Sequence, residues 1–403
     1  MTNTFNHNII EEIIKYLDRN DTLHFLQICS SNYKEMQLFY NKYIINFIKL
    51  YPYYHMEKFN KIVPFNKIIK IRNIKYIQQL HLFENLKLIG FRDSFNESID
   101  NLPDTIEKII LNLSYNKQIK KLPNKLKTLK LGHHFNKKID KYPDDLKKLE
   151  FGIFFQQPLD NLPINLKTLI LSYDYKQSIT YLPNNLESIT LSNYNNLRID
   201  QLPETLKIIK NCPILWVEQL SDNIEELMIK NIRINNIKKY PKKLKILEFK
   251  FINYKYHDDL ISSLPDTLEI LKINSIYNTQ INKFPKKLIV LNVGNGFDQP
   301  IAHEPENLKK IKFGEEFNQC IDNLPDSIEI IALGKNFNQI IKKIPKQLKR
   351  IVFSHDYNKS LDLLLKNWPK DNNDTIITIC LCNSYPHIIK EVPSNINIIF
   401  YGN

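Results

Sequence analysis

Histidine and cysteine pairs are the residues of this chain whose types and spacing could do chemistry. His133 and His134 are adjacent, and one residue separates Cys380 from Cys382. Zinc ligands normally stand two to five residues apart, so neither pair has the expected spacing. The remaining cysteines are isolated along the chain: Cys29, Cys212 and Cys320. Five scattered cysteines do not form a disulfide framework, and we interpret them as small core residues and predict no metal site.

Phosphate-binding glycine loops are also missing from the sequence. The chain has eight glycines, and Gly294-x-Gly296 is not followed by the rest of a dinucleotide-binding fingerprint. Five glycines stand nine residues after a proline, where we interpret them as residues of the turn that ends a strand: Gly132, Gly152, Gly294, Gly314 and Gly334. We predict no catalytic residue and no cofactor.

The net charge of +13 and the pI near 9.2 are compatible with a polyanionic partner. Lys, Asn and Ile are enriched together along the whole chain, however, which favours a generally basic solvated surface over a nucleic-acid site. No apolar stretch approaches the roughly 18 residues that span a bilayer. The N-terminus, "MTNTFNHNIIEEII", lacks the plan of a signal peptide. These features predict a soluble protein of the cytoplasm or nucleus with no membrane partner.

A phrase of 20 residues recurs along most of the chain. Successive prolines stand 20 residues apart from Pro103 to Pro203 and again from Pro265 to Pro345. Ser221 and Phe83 fill the proline position of two further phrases. A fixed period of this length is typical of a solenoid. It predicts about 15–16 coils of 20 residues.

The apolar residues of each phrase follow a fixed order. The third, sixth and eighth residues after the proline are aliphatic, as in Leu126, Leu129 and Leu131. The twelfth is usually Phe or Tyr, and the sixteenth is Ile or Leu, as in Phe135 and Ile139. L-x-x-L-x-L is the core pattern of leucine-rich repeats, in which a short strand points alternate side chains inward. We therefore predict stacked coils with parallel strands and a proline in the turn that enters each strand.

The stretch "FNQCIDNLPDSIEIIALGKNFNQIIKKIPKQLKRIVFS" (317–354) resembles the FNIP repeat, a short variant of the leucine-rich repeat named after Phe-Asn-x-Pro. Pro158 and Pro300 fill the proline position of that motif, whereas Cys320 stands there in another coil. The resemblance covers residues 83–400. It implies a leucine-rich-repeat-like parallel β solenoid over 83–403.

The first 45 residues do not follow the repeat. Apolar residues at i, i+4 spacing from Ile9 to Leu17 predict an amphipathic helix. Asp21 and Ser31 can cap two further short helices. We predict a helical module over residues 1–45 and a helical linker and N-terminal cap over 46–82, which makes the whole chain an α+β repeat protein.

The helical module resembles an F-box, with two pairs of aliphatic residues, a Tyr-Leu, and Ile28-Cys29 before a turn. The resemblance implies that it binds a Skp-type adaptor of a cullin–RING ubiquitin ligase. The adaptor-binding residues carried over by position are Ile9, Ile10, Ile13, Ile14, Leu17, Leu23, Leu26 and Ile28. The alternative interpretation is a helical cap that only seals the end of the solenoid.

The fifth and seventh residues after each proline are predicted to face outward, and they vary where the core positions do not. Variation on a rigid face is how a solenoid recognises a protein partner. The polar members form the predicted target-binding face: Lys108, Lys130, Lys148, Glu150, Thr168, Thr190, Lys210, Glu226, Glu248, Lys272, Asn292, Lys310, Lys312 and Arg350. Lysines alternate there with Glu and aliphatic residues, unlike a basic stripe for nucleic acid.

These features lead to three functional hypotheses. The first is a non-catalytic substrate receptor of a ubiquitin ligase, with the head on the adaptor and the solenoid face on an unknown target protein. The second is an interaction scaffold whose head is only a cap. The third, an enzyme or a nucleic-acid binder, would require a convergent polar pocket or a steep salt dependence of binding.

The combination of an F-box with FNIP repeats also bears on the source of the chain. As the family is known, this combination is typical of social amoebae and of large DNA viruses that infect amoebae. For a viral protein, the resemblance implies the cytoplasm of the host cell and the adaptor of the host.

Overall fold

The computed structural model describes residues 70–74, 85–193, 197–230, 237–250, 263–274, 276–281, 283–301, 305–366 and 376–401. The predicted helical module over 1–45 and all of the predicted linker over 46–82 except residues 70–74 lie outside these ranges. Contacts divide the chain into two compact units, with Met1–Leu186 and Asn196–Pro203 in the first and Glu187–Asn195 and Glu204–Asn403 in the second.

The first unit contains a ladder of parallel strands in which each strand pairs with the next in sequence. Its strands are β1 (Lys70–Ile74), β2 (Leu88–Phe91), β3 (Lys108–Ile110), β4 (Thr128–Lys130), β5 (Lys148–Glu150) and β6 (Thr168–Ile170).

The second unit repeats this arrangement, again with parallel pairing of consecutive strands. Its strands are β7 (Ser188–Thr190), β8 (Ile208–Pro213), β9 (Glu226–Lys230), β10 (Ile246–Phe249), β11 (Ile270–Ile273), β12 (Val290–Asn292), β13 (Lys310–Lys312), β14 (Ile330–Ala332), β15 (Arg350–Val352), β16 (Ile377–Cys382) and β17 (Ile396–Tyr401). Among the described residues there is one α-helix, α1 (Asp362–Lys366), and one 3-10 helix, Ile214–Gln219.

The described part of the chain is therefore a parallel β-solenoid with very few helices, as the repeat predicts. It has about 14 turns, rather than the 15–16 predicted from the phrase count. The fourteen short strands β2–β15 account for these turns. The six-residue strands β16 and β17 follow an irregular connection that contains α1.

In the described coils, the proline at the start of the phrase begins the turn that leads into the strand. The Pro123 carbonyl accepts a hydrogen bond from the Leu126 amide at 3.1 Å, and the same bond recurs in coil after coil. Ser221 fills this role where the proline is replaced, because its carbonyl accepts from the Ile224 amide at 3.3 Å. The absent N–H of proline removes no ladder bond at this position. The predicted location of the prolines is confirmed.

The predicted inward positions form the core. Leu126, Leu129 and Leu131 are buried, and so are the equivalent residues of the other described coils, except Asn211, Ile399 and Tyr401. A single coil cannot cover these side chains, so each coil is stable only against its neighbours. The core is therefore a continuous column within each unit.

The aromatic position of the phrase forms a stack. In the first unit the rings of Phe95, Tyr115, Phe135, Phe155 and Tyr175 follow one another at centroid distances of 6.0–6.2 Å. The second unit has a similar stack from Tyr277 to Tyr385, with centroid distances of 6.0–6.4 Å. Near-parallel rings at these distances are offset, which is a favourable aromatic geometry.

A polar ladder accompanies the aromatic stack. The Asn318 side-chain oxygen accepts from the Asn338 amide at 2.9 Å, and the Asn338 side chain accepts from the Asn358 amide at 3.1 Å. Asn96, Asn116 and Asn136 form the same chain of bonds in the first unit. Each side chain satisfies a backbone donor of the next coil, which would otherwise lack a partner. This explains why Asn, Asp or Gln follows the aromatic residue.

The tyrosines of the stack differ in one respect that can be tested. The Tyr175 hydroxyl donates to the Gln157 carbonyl at 3.0 Å, whereas the buried Tyr115 hydroxyl has no hydrogen-bond partner among the described residues. Burying an unpaired hydroxyl is costly, so we expect Tyr115→Phe to raise the free energy of unfolding by about 1 kcal/mol. The matched change Tyr175→Phe should lower it by about 1 kcal/mol. Urea denaturation of both variants checks the prediction, and equal losses would contradict it.

Candidate interaction face

The strand face consists of the side chains at the fourth, fifth and seventh positions after each proline, which point away from the core. The predicted target-binding residues at the fifth and seventh positions flank a buried residue in their strands, as in Lys108 and Ile110 around Ile109. From β3 to β15 these outward residues are half-buried, except Lys310, Lys312 and Arg350, which are exposed. The structure thus places the predicted residues on the surface predicted for them, while target binding itself stays a prediction.

Several lysines of the strand face are paired with glutamates. Lys130 lies 2.7 Å from Glu150 on the neighbouring strand, and Lys210 lies 3.0 Å from Glu226. A third pair, Lys272 and Glu248, is separated by 4.0 Å. Exposed pairs of this kind contribute little to stability. They reduce the charge that these parts of the face offer to a partner.

A row of charged residues at the fourth position after the proline was not predicted from the sequence. Glu107 lies between Lys87 and Lys127, at 3.1 and 2.8 Å, and Glu329 lies between Lys349 and Lys309, at 2.7 and 3.4 Å. The hydrogen bond from Lys349 lowers the pKa of Glu329. A carboxylate with a lowered pKa stabilises the fold above its unfolded pKa, and the effect is lost as pH falls. The frequent change between Glu and Lys at this position of successive phrases could have predicted these ion pairs from the sequence.

Two exposed aromatic side chains of the first unit were also not predicted from the sequence. Phe154 is 54% exposed and Tyr173 is 63% exposed, and both follow strands of the first unit. The His134 ring stacks on Phe154 with centroids 5.1 Å apart. Exposed aromatic side chains of this kind often mark protein contacts. Their signal in the sequence was the apolar character of two turn positions that are polar in most other coils.

The strongest break in the repeat lies at residues 211–220. Asn211 has a φ of 58°, the left-handed region that Asn tolerates better than most residues. Its side chain donates to the Leu191 carbonyl at 3.0 Å. Lys230 is 3% exposed, and its ammonium group donates to the Ser192 carbonyl at 2.5 Å. These bonds belong to local packing of an irregular coil and do not converge on an open pocket.

Three of the four described cysteines are core residues as predicted, whereas Cys320 is exposed, so the interpretation of the cysteines as core residues is wrong for that position. Cys212 is buried, and burial raises the pKa of its thiol to about 12, so it stays protonated near neutral pH. Cys380 and Cys382 are also buried, in β16. Within the ranges that the structure describes, no group of three or more His, Cys, Asp or Glu residues could hold a metal ion.

The predicted adaptor-binding residues, Ile9 to Ile28, all lie outside the described residues. Their role therefore remains a prediction. No helix in the described part of the chain is both long and apolar enough to cross a membrane.

The arrangement defines a class of protein: a leucine-rich-repeat-like solenoid with a varied strand face. The FNIP Repeat family model matches residues 115–154, 155–194, 297–336 and 321–354, so FNIP repeats are present in both units. Solenoids of this class generally bind protein partners. No curated protein matches the chain.

Two solved structures resemble the chain. The first, described as CroV588, a novel circular LRR protein, has a TM-score of 0.65 and 25% sequence identity. The match covers 86% of this chain and 58% of that one, so this chain spans less than two thirds of its length. The second is YopM from Yersinia enterocolitica WA-314, with a TM-score of 0.44, 15% identity and coverage of 82% of this chain and 76% of that one.

Proposed function

We propose that this chain is a non-catalytic substrate-receptor subunit of a cullin–RING ubiquitin ligase. In this function the head binds a Skp-type adaptor and the strand face binds a target protein. The observation that carries target recognition is the pattern of the strands. Their buried residues are nearly the same in every coil, whereas the outward residues of the strand face differ from coil to coil. A receptor of this kind acts by holding the target near the ubiquitin-transfer machinery, so it needs no catalytic residue of its own.

The head supports the ligase part of the proposal through its sequence alone. Its aliphatic pairs have the spacing of an F-box helix, and the i, i+4 spacing of Ile9, Ile13 and Leu17 predicts a shared apolar face. Phe5-Asn6 stands where an F-box has Leu-Pro, and this departure is compatible with the alternative of an interaction scaffold whose head is only a cap. Adaptor binding separates the two functions.

The test uses the full-length chain and a purified Skp-type adaptor. We expect wild type to retain the adaptor on a column, and Ile10→Asp and Leu17→Asp to lose it, because a charge on the apolar contact face is costly to bury. Ile164→Asp is the matched control, since Ile164 is an exposed aliphatic residue of the first unit, outside the head. Folding of each variant is checked by circular dichroism. Failure of folded wild-type protein to bind the adaptor would reject the receptor function and leave the scaffold.

A further inference from the structure

The strand face of β13–β15 differs from the rest of the face in exposure and in charge. Its fifth and seventh positions carry Lys310, Lys312 and Arg350, the exposed outward residues of β3–β16. None of the three forms an ion pair among the described residues. We call this group the cationic patch.

At the fifth and seventh positions of β12–β15, the residues that the structure describes include no carboxylate that could neutralise the cationic patch. The other fifth and seventh positions of β12–β15 are Val290, Asn292, Ile330, Ala332 and Val352. The nearest carboxylate on the strand face, Glu329, already contacts the ammonium groups of Lys309 and Lys349. Elsewhere on the strand face, a glutamate of a neighbouring strand pairs with each of three lysines: Lys130, Lys210 and Lys272.

The spacing of the patch fits an extended chain. Lys310 and Arg350 share one row on either side of Ile330, so two strand separations of about 4.8 Å place them about 10 Å apart. Acidic residues at i and i+3 of a polyproline-II segment lie about 9 Å apart on one side. The apolar side chains of Ile330, Ala332 and Val352 then meet the residues between the acids.

We propose that the cationic patch binds an acidic segment of a partner protein, in an extended conformation with apolar residues between its carboxylates. The inference rests on the proposed role of the strand face in target binding and assigns the chemistry of the target. Nucleic acid is the less suitable ligand, because three cations divided by aliphatic residues do not form a continuous track for phosphates.

The test measures binding of a fluorescent (Asp-Leu-Glu)4 peptide to the full-length chain at low salt. The triple variant Lys310→Glu, Lys312→Glu, Arg350→Glu should weaken binding at least about tenfold, since attraction becomes repulsion at three sites. The control variant Lys287→Glu, Lys335→Glu, Lys343→Glu makes the same change in net charge at exposed positions off the strand face and should change affinity less than about threefold.

The neutral peptide (Asn-Leu-Gln)4 and a 12-nucleotide single-stranded DNA complete the experiment. Equal binding of the acidic and neutral peptides, or equal weakening by both triple variants, would overturn the proposal. Tighter binding of the DNA than of the acidic peptide would overturn it in favour of a nucleic-acid site. Because adaptor binding by the head is measured separately, peptide binding without adaptor binding would support the patch and reject only the ligase function.

Discussion

Replacing Phe155 with alanine is expected to lower the free energy of unfolding by about 3–5 kcal/mol. Phe155 is 1% exposed and lies between Phe135 and Tyr175 in the aromatic stack of the first unit. Its ring lies 4.0 Å from that of Phe151 and 6.2 Å from those of Phe135 and Tyr175. Alanine would leave a cavity between two coils that depend on each other for burial, and the neighbouring rings are held by their own coils and cannot fill it.

The residue next to it supplies the control for this prediction. Phe154 differs from Phe155 by one position, yet it is 54% exposed and lies outside the stack. We expect Phe154→Ala to cost less than about 1 kcal/mol, as for most surface substitutions. Urea denaturation gives the difference between the two variants, and hydrogen exchange shows whether the loss is confined to neighbouring coils. Similar losses for both variants would show that the stack does not stabilise the unit.

Most of the solenoid could be predicted because its contacts follow its period. Residues 20 apart in sequence are neighbours in space, so Phe135 and Phe155 are alike in sequence and also touch. The buried Leu129 and its partner Leu149 follow the same logic. In such a fold, a residue type that recurs at one position of the repeat lies in the same environment in every coil. The pairing of strands then follows from their order in the sequence.

The structural roles of individual residues in the repeat were harder to predict from the sequence. The Asn, Asp or Gln that follows most aromatic residues of the stack acts on the next coil, as Asn318 does toward the Asn338 amide. A single phrase of the sequence does not show that partner. The glycines were interpreted as residues of the turn that ends a strand, but among the described residues no glycine has the positive φ that would require glycine in a turn. Their role depends on the distance between coils, which sequence spacing does not report.

The position of the candidate interaction face could be predicted from the sequence, but the binding energy of its residues could not. The period identified Lys130 and Lys312 alike as outward residues, but only the structure shows that Lys130 is paired with Glu150 while Lys312 is exposed. Pairing depends on which side chains face each other across two coils and on their rotamers. Binding energy depends in addition on a partner that the sequence of this chain does not contain.

Replacing Gly314 with valine is expected to cost about 3 kcal/mol or more, because overpacking here meets backbone rather than movable side chains. A Cβ at Gly314 would overlap the carbonyl group of Gly294 and lie 2.5 Å from the Asn295 Cα. The same relation holds one coil further on, where a Cβ at Gly334 would overlap the Gly314 carbonyl group. Valine would push two coils apart and weaken the parallel pairing of β12 with β13.

Ser354 provides the control, because it follows Gly334 by one period and already has a Cβ in the equivalent position. Its hydroxyl donates to the Lys335 carbonyl at 3.0 Å, so Ser354→Ala should cost only about 1 kcal/mol, the value of one hydrogen bond. Thermal and urea denaturation compare the two variants. If Gly314→Val costs no more than Ser354→Ala, the coils can separate without penalty, and the close backbone contact is not what selects glycine. A much larger cost for Gly314→Val would show that close packing of the coils imposes the glycines, independently of any turn conformation.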